Sequence, residues 1–258
     1  MATHPLIAIV GETASGKSAL ALVIAERFNG EIICADSRTV YEGMDIGTAK
    51  PSYEDRARVP HHLLDAVSPK DNFNVSMFQR MANKVIEEIQ LRGKLPVLVC
   101  GTGLYIDSVL YKLDIKAENT ERNALNPRHL NSAGFPSVGK ILRPNTLVIG
   151  LSVPKDELEV RINRRVKQML GIGLEQEVKT LAKQYGWEAA ALTGVGYREW
   201  QQYFESTQTL EETKQLIATH TRQYAKRQRT WFKRNKHIKW VDSQEAAQEI
   251  VMTFLQRL

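Results

Sequence analysis

The sequence lacks any apolar run long enough to span a membrane, and it has few cysteines. A transmembrane helix needs about 20 consecutive apolar residues, and no stretch approaches that length. The residues after Met1 lack the basic segment, apolar core and small-residue cleavage site of a secretion signal. Cys34 and Cys100 each end a strand-like run and form no metal-spaced cluster. We therefore expect a cytoplasmic protein with reduced, buried thiols and no membrane contact.

Acidic residues are missing from one long stretch near the end of the chain. The whole protein carries 35 lysines and arginines against 29 acidic residues, a net charge of +6. Between Thr213 and Val241 there are nine basic residues and no acidic one. A solvated basic face is the ordinary explanation, but so many cations repel one another unless a polyanion neutralises them. The pattern favours a nucleic acid or a diphosphate bound along this segment.

Short apolar runs alternate with helical patterns along most of the chain. Continuous apolar strands between helices are typical of a parallel sheet that is covered on both faces. We therefore predict an α/β fold with helices on both faces of a parallel sheet. The predicted strands are Leu6–Val10, Ile32–Cys34, Pro96–Cys100, Thr146–Leu151 and Ile238–Val241. Ligands bind such sheets at the carboxyl ends of the strands.

Helix start and stop signals support this alternation. A helix is predicted over Met77–Arg92, because Ser76 and Gln79 have the spacing of a capping box and Gly93 follows the run. The other predicted helices are Lys17–Phe28, Lys155–Leu170, Leu174–Tyr185, Tyr197–Phe204, Leu210–Asn235 and Gln244–Arg257.

A glycine-rich loop follows the first predicted strand. The segment Gly11–Ser18 matches the P-loop pattern G-x-x-x-x-G-K-[ST] between a strand and a helix. Backbone N–H groups and the helix N-terminus of such a loop bind phosphate, and the lysine adds a cation. The predicted phosphate-binding residues are Gly11, Thr13, Ala14, Ser15, Gly16, Lys17 and Ser18, and Ser18 is also the expected ligand of Mg²⁺. The pattern leaves open whether a nucleoside triphosphate or another phosphate binds.

Two further loops with polar side chains follow neighbouring strands. Asp36 and Ser37 come after the second predicted strand, and Thr102 lies in a Gly-Thr-Gly turn after the third. Asp36 is interpreted as a metal-associated carboxylate, a general base or a helix N-cap. Thr102 either donates a hydrogen bond to a phosphate or leaving oxygen, or belongs to a plain strand-to-helix turn. Both loops should meet Lys17 at one edge of the sheet.

Two adjacent histidines and a cluster of arginines are weaker indications of ligand binding than the P-loop. His61 and His62 point to opposite sides of an extended segment, which favours packing or hydrogen bonding over metal binding. Arg161, Arg164 and Arg165 lie on a helix whose apolar side is sufficient to explain its burial. We expect these arginines to be placed where they can clamp phosphates.

The segment from 113 to 145 differs from the rest of the chain. It is polar, contains three prolines and has no sustained periodicity. A long connection of this kind is typical of functional or mobile segments. We therefore divide the chain into a first part of the P-loop core (1–112), a linker (113–145), and a second part that completes the core and carries the basic helix (146–258).

Taken together, the motifs resemble those of the tRNA dimethylallyltransferases. They are GETASGKS, ADSRTVYEGMDIGTAKP, PHHLLDAVSP, GTGLYIDSVL, GVGYREW and TRQYAKRQRTWFKRN, and they extend from Gly11 to Asn235. The resemblance implies a P-loop NTPase-like fold and an enzyme that transfers a dimethylallyl group from dimethylallyl diphosphate. The acceptor it implies is the exocyclic amine of the adenine next to the anticodon of tRNA, and the cofactor is Mg²⁺.

The resemblance also implies roles for individual residues. The loop Thr13–Ser18 holds the diphosphate, Asp36 is the general base, and Thr102 contacts the leaving diphosphate and the tRNA. Arg222 resembles a diphosphate-binding arginine and is counted with Asp36 and Thr102 as catalytic. The expected tRNA-contacting residues are Asp36, Ser37, Arg38, Thr39, Thr102, Lys226, Arg229 and Lys233. Tyr224 and Trp231 are expected to help hold bases that flank the target adenine.

The chain departs from the pattern of this family in several places. The family usually has proline where this chain has Glu12, glutamine at Thr39 and glycine at Cys100. Glu12 would weaken phosphate binding by up to ~1 kcal/mol if it were exposed. The helical insertion domain of the family is replaced by the short segment 113–145, so we expect a weaker grip on tRNA or one shifted to the basic helix.

Three other functions fit parts of the sequence. An adenylate isopentenyltransferase shares the P-loop and the prenyl donor but uses a free nucleotide. A small-molecule P-loop kinase would bind ATP instead, and a non-catalytic RNA-binding protein would retain only the basic helix. The default expectation for the oligomeric state is a monomer.

Overall fold

The computed structural model describes residues 4–111 and 141–258. Within these ranges six strands form one sheet in which every neighbouring pair is parallel, in the order β3-β2-β4-β1-β5-β6. The strands are β1 (Leu6–Gly11), β2 (Gly30–Ala35), β3 (His61–His62), β4 (Leu95–Cys100), β5 (Thr146–Leu151) and β6 (Ile238–Val241). The predicted α/β fold with a parallel sheet is confirmed.

Helices connect the strands and cover both faces of the sheet. They are α1 (Lys17–Arg27), α2 (Tyr53–Arg58), α3 (Val75–Leu91), α4 (Gly103–Leu110), α5 (Lys155–Gly171), α6 (Leu174–Tyr185), α7 (Gln201–Phe204), α8 (Leu210–Phe232) and α9 (Gln244–Leu255). Short 3₁₀ turns at Ala190–Thr193 and Arg198–Trp200 precede α7. In the described ranges, no helix combines the length and apolar content of a membrane span.

Alternating residues of the strands pack into two separate hydrophobic cores, one on each face of the sheet. Ile7 and Ile9 of β1 pack with Leu20 and Ile24 of α1, together with residues of α9. Leu6, Ala8 and Val10 face the other way and join a larger core built with α3, α4, α5 and α8. Each central strand is therefore buried on both faces, which explains its continuous apolar sequence.

Helix α8 begins where local signals place it and packs across the sheet. The side chain of Thr209 accepts a hydrogen bond from the backbone N–H of Glu212, and the Glu212 carboxylate accepts one from the backbone N–H of Thr209. These two bonds form a capping box. The helix then packs against α5, α4 and β1. This position brings the basic segment to the carboxyl ends of the central strands.

The start of α3 was predicted wrongly. The sequence pattern placed a capping box at Ser76, but the helix begins at Val75 and the side chain of Asn74 accepts from the N–H of Met77. Ser76 is instead buried within the first turn. Asparagine is as good an N-cap as serine, so the two candidates compete within three residues.

The histidine pair has the structural role that the sequence favoured. His62 hydrogen-bonds the Glu31 carboxylate through Nε2 at 2.6 Å, and His61 Nδ1 lies 2.7 Å from the carbonyl oxygen of Val59. No cluster of three potential metal ligands occurs among the described residues. Most of the linker 113–145 lies outside those residues, so the shortened insertion and the domain boundaries stay predictions.

Candidate active site

The P-loop joins β1 to α1 in a backbone conformation that favours glycine. Gly16 is the N-cap of α1 with φ 96°, and Ala14 also has a positive φ of 62°. A Cβ on Gly11 would lie 2.9 Å from Ser15 Oγ and 3.3 Å from the carbonyl oxygen of Leu151, so a larger residue does not fit there. Positive φ in a non-glycine residue costs free energy, and such strain is often found in ligand-binding loops.

The loop contains one buried hydroxyl without a partner. Ser15 is 4% exposed, and its Oγ has no hydrogen-bond partner among the described residues. Buried polar atoms are normally satisfied, and a bound phosphate oxygen would supply the missing partner. The amides of Thr13 and Ser15 already donate within the protein, to Gln228 Oε1 at 2.8 Å and to the carbonyl of Glu12 at 3.2 Å.

Side chains from three elements converge on Gly101, at the carboxyl end of β4. A Cβ built on Gly101 would lie 3.1 Å from Gln228 Nε2, 3.2 Å from Asp36 Oδ2 and 3.8 Å from Lys17 Cε. The lysine also donates to the carbonyl of Glu12 through Nζ at 3.0 Å. The P-loop lysine and the carboxylate after β2 thus meet at one point, as their positions at strand ends predicted.

The two carboxylate oxygens of Asp36 have different surroundings. Oδ1 accepts from the backbone N–H of Arg38 at 2.8 Å and of Thr39 at 3.4 Å, which fixes the turn after β2. Oδ2 is the oxygen that faces Gly101. The helix N-cap interpretation of Asp36 is wrong, because the next described helix is α2, which begins at Tyr53 and is capped by Ser52.

Thr102 occupies the N-cap position of α4 and connects two of the loops. Its Oγ1 accepts a hydrogen bond from the backbone N–H of Ser37 at 3.4 Å. The side chain makes no cap bond to α4 itself. Thr102 therefore holds the Asp36 turn beside the end of β4, within the same group of loops as Lys17.

Arg38 and Thr39, two expected tRNA contacts, are held inside the fold. Arg38 donates through Nη1 to the carbonyl of Ala190 at 2.5 Å and through Nη2 to Thr193 Oγ1 at 3.2 Å. Thr39 is buried, with its hydroxyl unpaired among the described residues. The contacts of Arg38 anchor the Asp36 turn against the 190–194 segment, and the tRNA contacts of both residues stay predictions.

Glu12 is neutralised by Arg229 of α8. The guanidinium forms two hydrogen bonds with the carboxylate, of which Nη2 to Oε2 measures 2.7 Å, and it also donates to the carbonyl of Val153 at 3.2 Å. Glu12 is only 6% exposed, so the condition under which it would weaken phosphate binding is not met. This hydrogen bonding and charge pairing raise the pKa of Arg229.

Tyr224 and Trp231 of α8 both hydrogen-bond to the loop and helix that follow β4. Tyr224 donates to the carbonyl of Gly101 at 3.2 Å, and Trp231 Nε1 donates to Asp107 Oδ2 at 3.0 Å. A Cβ on Gly103 would clash with the Trp231 ring, so the indole packs directly on the glycine at the start of α4. These two side chains position the loop after β4, and their expected contacts with bases stay predictions.

The remaining predicted residues of α8 lie on other sides of the helix. Lys226 and Lys233 are exposed. Arg222 contacts α5, with Glu159 at 3.4 Å and Asn163 at 3.5 Å. None of the contacts described for Arg222 joins it to the P-loop, so its assignment to the diphosphate stays a prediction.

Helix α5 brings arginines to the edge of the P-loop. Arg161 donates from Nη1 to the carbonyl of Ser15 at 3.2 Å and pairs with Glu157. Burial lowers the pKa of Arg165, and the nearby charge of Asp36 offsets only part of this change. These side chains line a cavity of about 1210 Å³ that also reaches Lys17 and Ser18.

Two features of the site were not predicted from the sequence. Gln228 is 4% exposed and bridges the P-loop and Gly101 through both ends of its amide. The Glu12–Arg229 pair joins residues that are 217 positions apart. Only the i, i+4 spacing of Tyr224 and Gln228 hinted that they share a face of α8. Cys34 is a free cysteine of intermediate exposure, so the predicted burial of its thiol is only partly met. Burial raises the pKa of this thiol to about 12.

Comparisons with known proteins identify the family of this chain. The family model described as IPP transferase matches residues 39–141 and 129–235. A tRNA dimethylallyltransferase of Pelotomaculum thermopropionicum is 35% identical over 96% of this chain and 95% of its own length. That of Carboxydothermus hydrogenoformans is 39% identical over 93% of each chain. The structure of a tRNA isopentenylpyrophosphate transferase from Bacillus halodurans superimposes with a TM-score of 0.86 at 33% identity, covering 99% of this chain and 98% of that one.

The fold and the site together define a P-loop protein whose phosphate loop is flanked by a carboxylate turn and a basic helix. The chain belongs to the IPP transferase family. The resemblance seen in the motifs and the predicted prenyltransferase class are thereby confirmed. The alignment with the Pelotomaculum relative runs over 299 positions, so that protein contains residues with no counterpart here.

Proposed function

We propose that this protein transfers a dimethylallyl group from dimethylallyl diphosphate to the exocyclic amine of the adenine next to the anticodon of tRNA. The observation that carries the proposal is the convergence of Lys17, Asp36 and Gly101 beneath a basic helix. The relatives bear the name tRNA dimethylallyltransferase, which supports tRNA as the substrate and dimethylallyl as the transferred group. The diphosphate donor and the adenine amine follow from the motif resemblance.

The diphosphate is the leaving group of the reaction. The bond between the allylic carbon and the diphosphate oxygen breaks, and the electron pair leaves with the diphosphate. Lys17 and the unpaired Ser15 hydroxyl stabilise the charge that develops there. Such groups accelerate the reaction because they are already oriented before the bond breaks.

Asp36 accepts the proton that the acceptor loses. The adenine amine is a weak nucleophile, since its lone pair is delocalised into the ring. As nitrogen bonds to the allylic carbon, the proton passes to Asp36 Oδ2, the oxygen that is not engaged in the turn. The adenine must leave its stack to reach this point, as in other enzymes that act on nucleobases.

The residues present fit a magnesium ion that arrives with the diphosphate. Ser18 is exposed at the start of α1 and lines the cavity beside Lys17. The described residues offer no cluster of three carboxylate, histidine or cysteine ligands, and Mg²⁺ often binds through substrate phosphates and few protein groups. When bound, the ion would neutralise diphosphate charge, and Ser18→Ala is expected to raise the Mg²⁺ concentration needed for half-maximal activity.

One assay tests the proposal against its alternatives. Dimethylallyl diphosphate labelled in the allyl group, or ATP labelled in the γ-phosphate, is offered with tRNA, with AMP or with no acceptor. We expect label in tRNA from the prenyl donor only, and loss of that label in Lys17→Met but not in the surface variant Lys84→Met. Label in AMP would indicate an adenylate isopentenyltransferase, and transfer from ATP would indicate a kinase. RNA binding without any transfer would indicate the non-catalytic alternative.

A further inference from the structure

Gln228 connects the two loops that hold the reacting groups. Its Oε1 accepts from the backbone N–H of Thr13 at 2.8 Å, and its Nε2 donates to the carbonyl of Gly101 at 2.6 Å. The first bond fixes the P-loop and the second fixes the residue that precedes Thr102. One buried side chain thus spans the gap between the diphosphate loop and the loop beside Asp36.

Neighbouring residues of α8 strengthen this bridge. Arg229 holds Glu12 and the carbonyl of Val153, so consecutive residues of the helix contact consecutive residues of the P-loop. Tyr224 donates to the same carbonyl of Gly101 as Gln228. The position of the P-loop relative to the end of β4 is therefore set from α8 and not only by the sheet.

We propose that Gln228 is a positioning residue for the transfer reaction: its amide sets the spacing between the diphosphate loop and the Thr102–Asp36 pair. The inference rests on the proposed function. A primary amide is suited to this task because it accepts at one end and donates at the other. A displacement of about 1 Å between reacting groups is enough to slow a reaction by about 100-fold.

The leucine variant tests the bridge directly. Gln228→Leu keeps much of the buried volume but removes both hydrogen bonds. We expect the single-turnover rate, at saturating donor and tRNA, to fall by about 10- to 100-fold, with a smaller change in the KM of the donor. Gln215→Leu, an exposed glutamine on the same helix, is the matched control and should keep the rate of the unaltered protein. A full single-turnover rate in a folded Gln228→Leu protein overturns the inference.

A second variant gives a readout that a merely structural role would not move. In Gln228→Glu the introduced group accepts from Thr13 when ionised, but it can donate to the carbonyl of Gly101 only when protonated. Burial and the neighbouring Asp36 raise the pKa of such a carboxyl, whereas the neighbouring Lys17 lowers it. The rate of Gln228→Glu relative to the unaltered protein should therefore rise as the pH is lowered from about 8 to about 6.

The outcomes separate this inference from the proposed function. A flat ratio of the two rates across that pH range contradicts the bridge, even where Gln228→Leu fails to fold. If the unaltered protein transfers no label to tRNA under any condition, the proposed function itself fails. Transfer by the unaltered protein together with pH-dependent loss in Gln228→Glu supports both.

Discussion

The two carboxylate oxygens of Asp36 have different surroundings, and two substitutions separate its role in the turn from its proposed role as general base. An asparagine keeps an oxygen that can accept from Arg38 and Thr39 but removes the charge that takes the proton. We expect Asp36→Asn to lower kcat by about 10²- to 10⁴-fold while the melting temperature and donor affinity stay near those of the unaltered protein. Asp36→Ala should lose the turn as well and melt earlier.

Rapid-quench kinetics, donor titration and thermal unfolding distinguish these effects. An equal loss of donor affinity and of kcat in Asp36→Asn would contradict the role of general base. It would instead favour a metal-associated role for the carboxylate, the interpretation that the sequence also allowed.

The Glu12–Arg229 pair makes a separate prediction about stability. Arg229→Met leaves Glu12 buried without its cation, and breaking a buried ion pair costs about 3–5 kcal/mol. Since Arg229 keeps part of its surface in water, we expect a loss near the lower end of this range in urea unfolding. Adding Glu12→Gln to Arg229→Met should recover part of the loss, because the unpaired charge is then absent. Additive losses in the double variant would show that the two residues act independently.

At the scale of elements, helix α8 presents different residues to the two sides. Its buried side holds the P-loop and the β4 loop through Gln228, Arg229 and Tyr224. Lys226 of the helix and Lys233, which directly follows its last residue, are exposed. A long helix with no acidic residue in its second half is stable here because part of its charge is paired with Glu12 and Glu159 from other elements.

The opposite end of the sheet contains a cluster of charges that predicts the acid sensitivity of the fold. Burial raises the pKa of Glu31 in β2. Hydrogen bonds from Arg92, His62 and Lys94 lower it by a larger amount, so that the net pKa is about 2. A carboxylate with a lowered pKa contributes stability above its unfolded pKa, and this contribution disappears as the pH falls towards the folded value. We expect about 2–3 kcal/mol from this source, present at neutral pH and lost between about pH 4.5 and pH 2.

Urea unfolding of the unaltered protein and of Glu31→Gln at several pH values measures this contribution. The difference in unfolding free energy between the two proteins should be largest near neutral pH and shrink below about pH 4.5. A difference that stays constant with pH would mean that the cluster acts by packing and not by charge.

Local patterns were sufficient to predict most elements, because their signals lie within a few residues. The P-loop between β1 and α1 and the five longer strands follow from apolar runs and glycine positions. The short strand β3 has no apolar run, and it exists because β2 pairs with His61 and His62. Helix α2 carries a capping box at Ser52 and Asp55, a local signal that the interpretation overlooked.

The residues of the candidate site likewise fall into those that local patterns predict and those that depend on tertiary packing. Lys17, Asp36 and Thr102 could be placed together because parallel strands bring their carboxyl ends to one edge. The bridge of Gln228 to Thr13 spans 215 positions and depends on how α8 docks against the sheet, which no local pattern reports. The hydrogen bonds of Tyr224 to Gly101 and of Trp231 to Asp107 also depend on this docking, because sequence spacing does not show which side of a helix is covered.

For the whole molecule, the uneven charge predicts how tRNA binding depends on salt. The net charge of +6 is concentrated on the segment that contains α8, and the exposed cations there are available to phosphates. Each lysine that neutralises a phosphate releases counterions, so log Kd changes with log salt concentration by about 0.7–0.9 per contact. Lys226→Ala and Lys233→Ala should each reduce this slope by about that amount and weaken binding of all tRNAs alike.

Filter binding of an anticodon stem-loop between about 50 and 200 mM salt measures the slope. Lys84→Ala of α3 is the control, because Lys84 is also exposed but remote from α8 in sequence. The control should leave the slope unchanged, and neither lysine substitution should alter the KM of the prenyl donor, because Lys226 and Lys233 are exposed and no contact described for them joins them to the P-loop. An unchanged slope in both α8 variants would place the tRNA on another surface. The basic helix would then serve this site only through the residues that hold the P-loop.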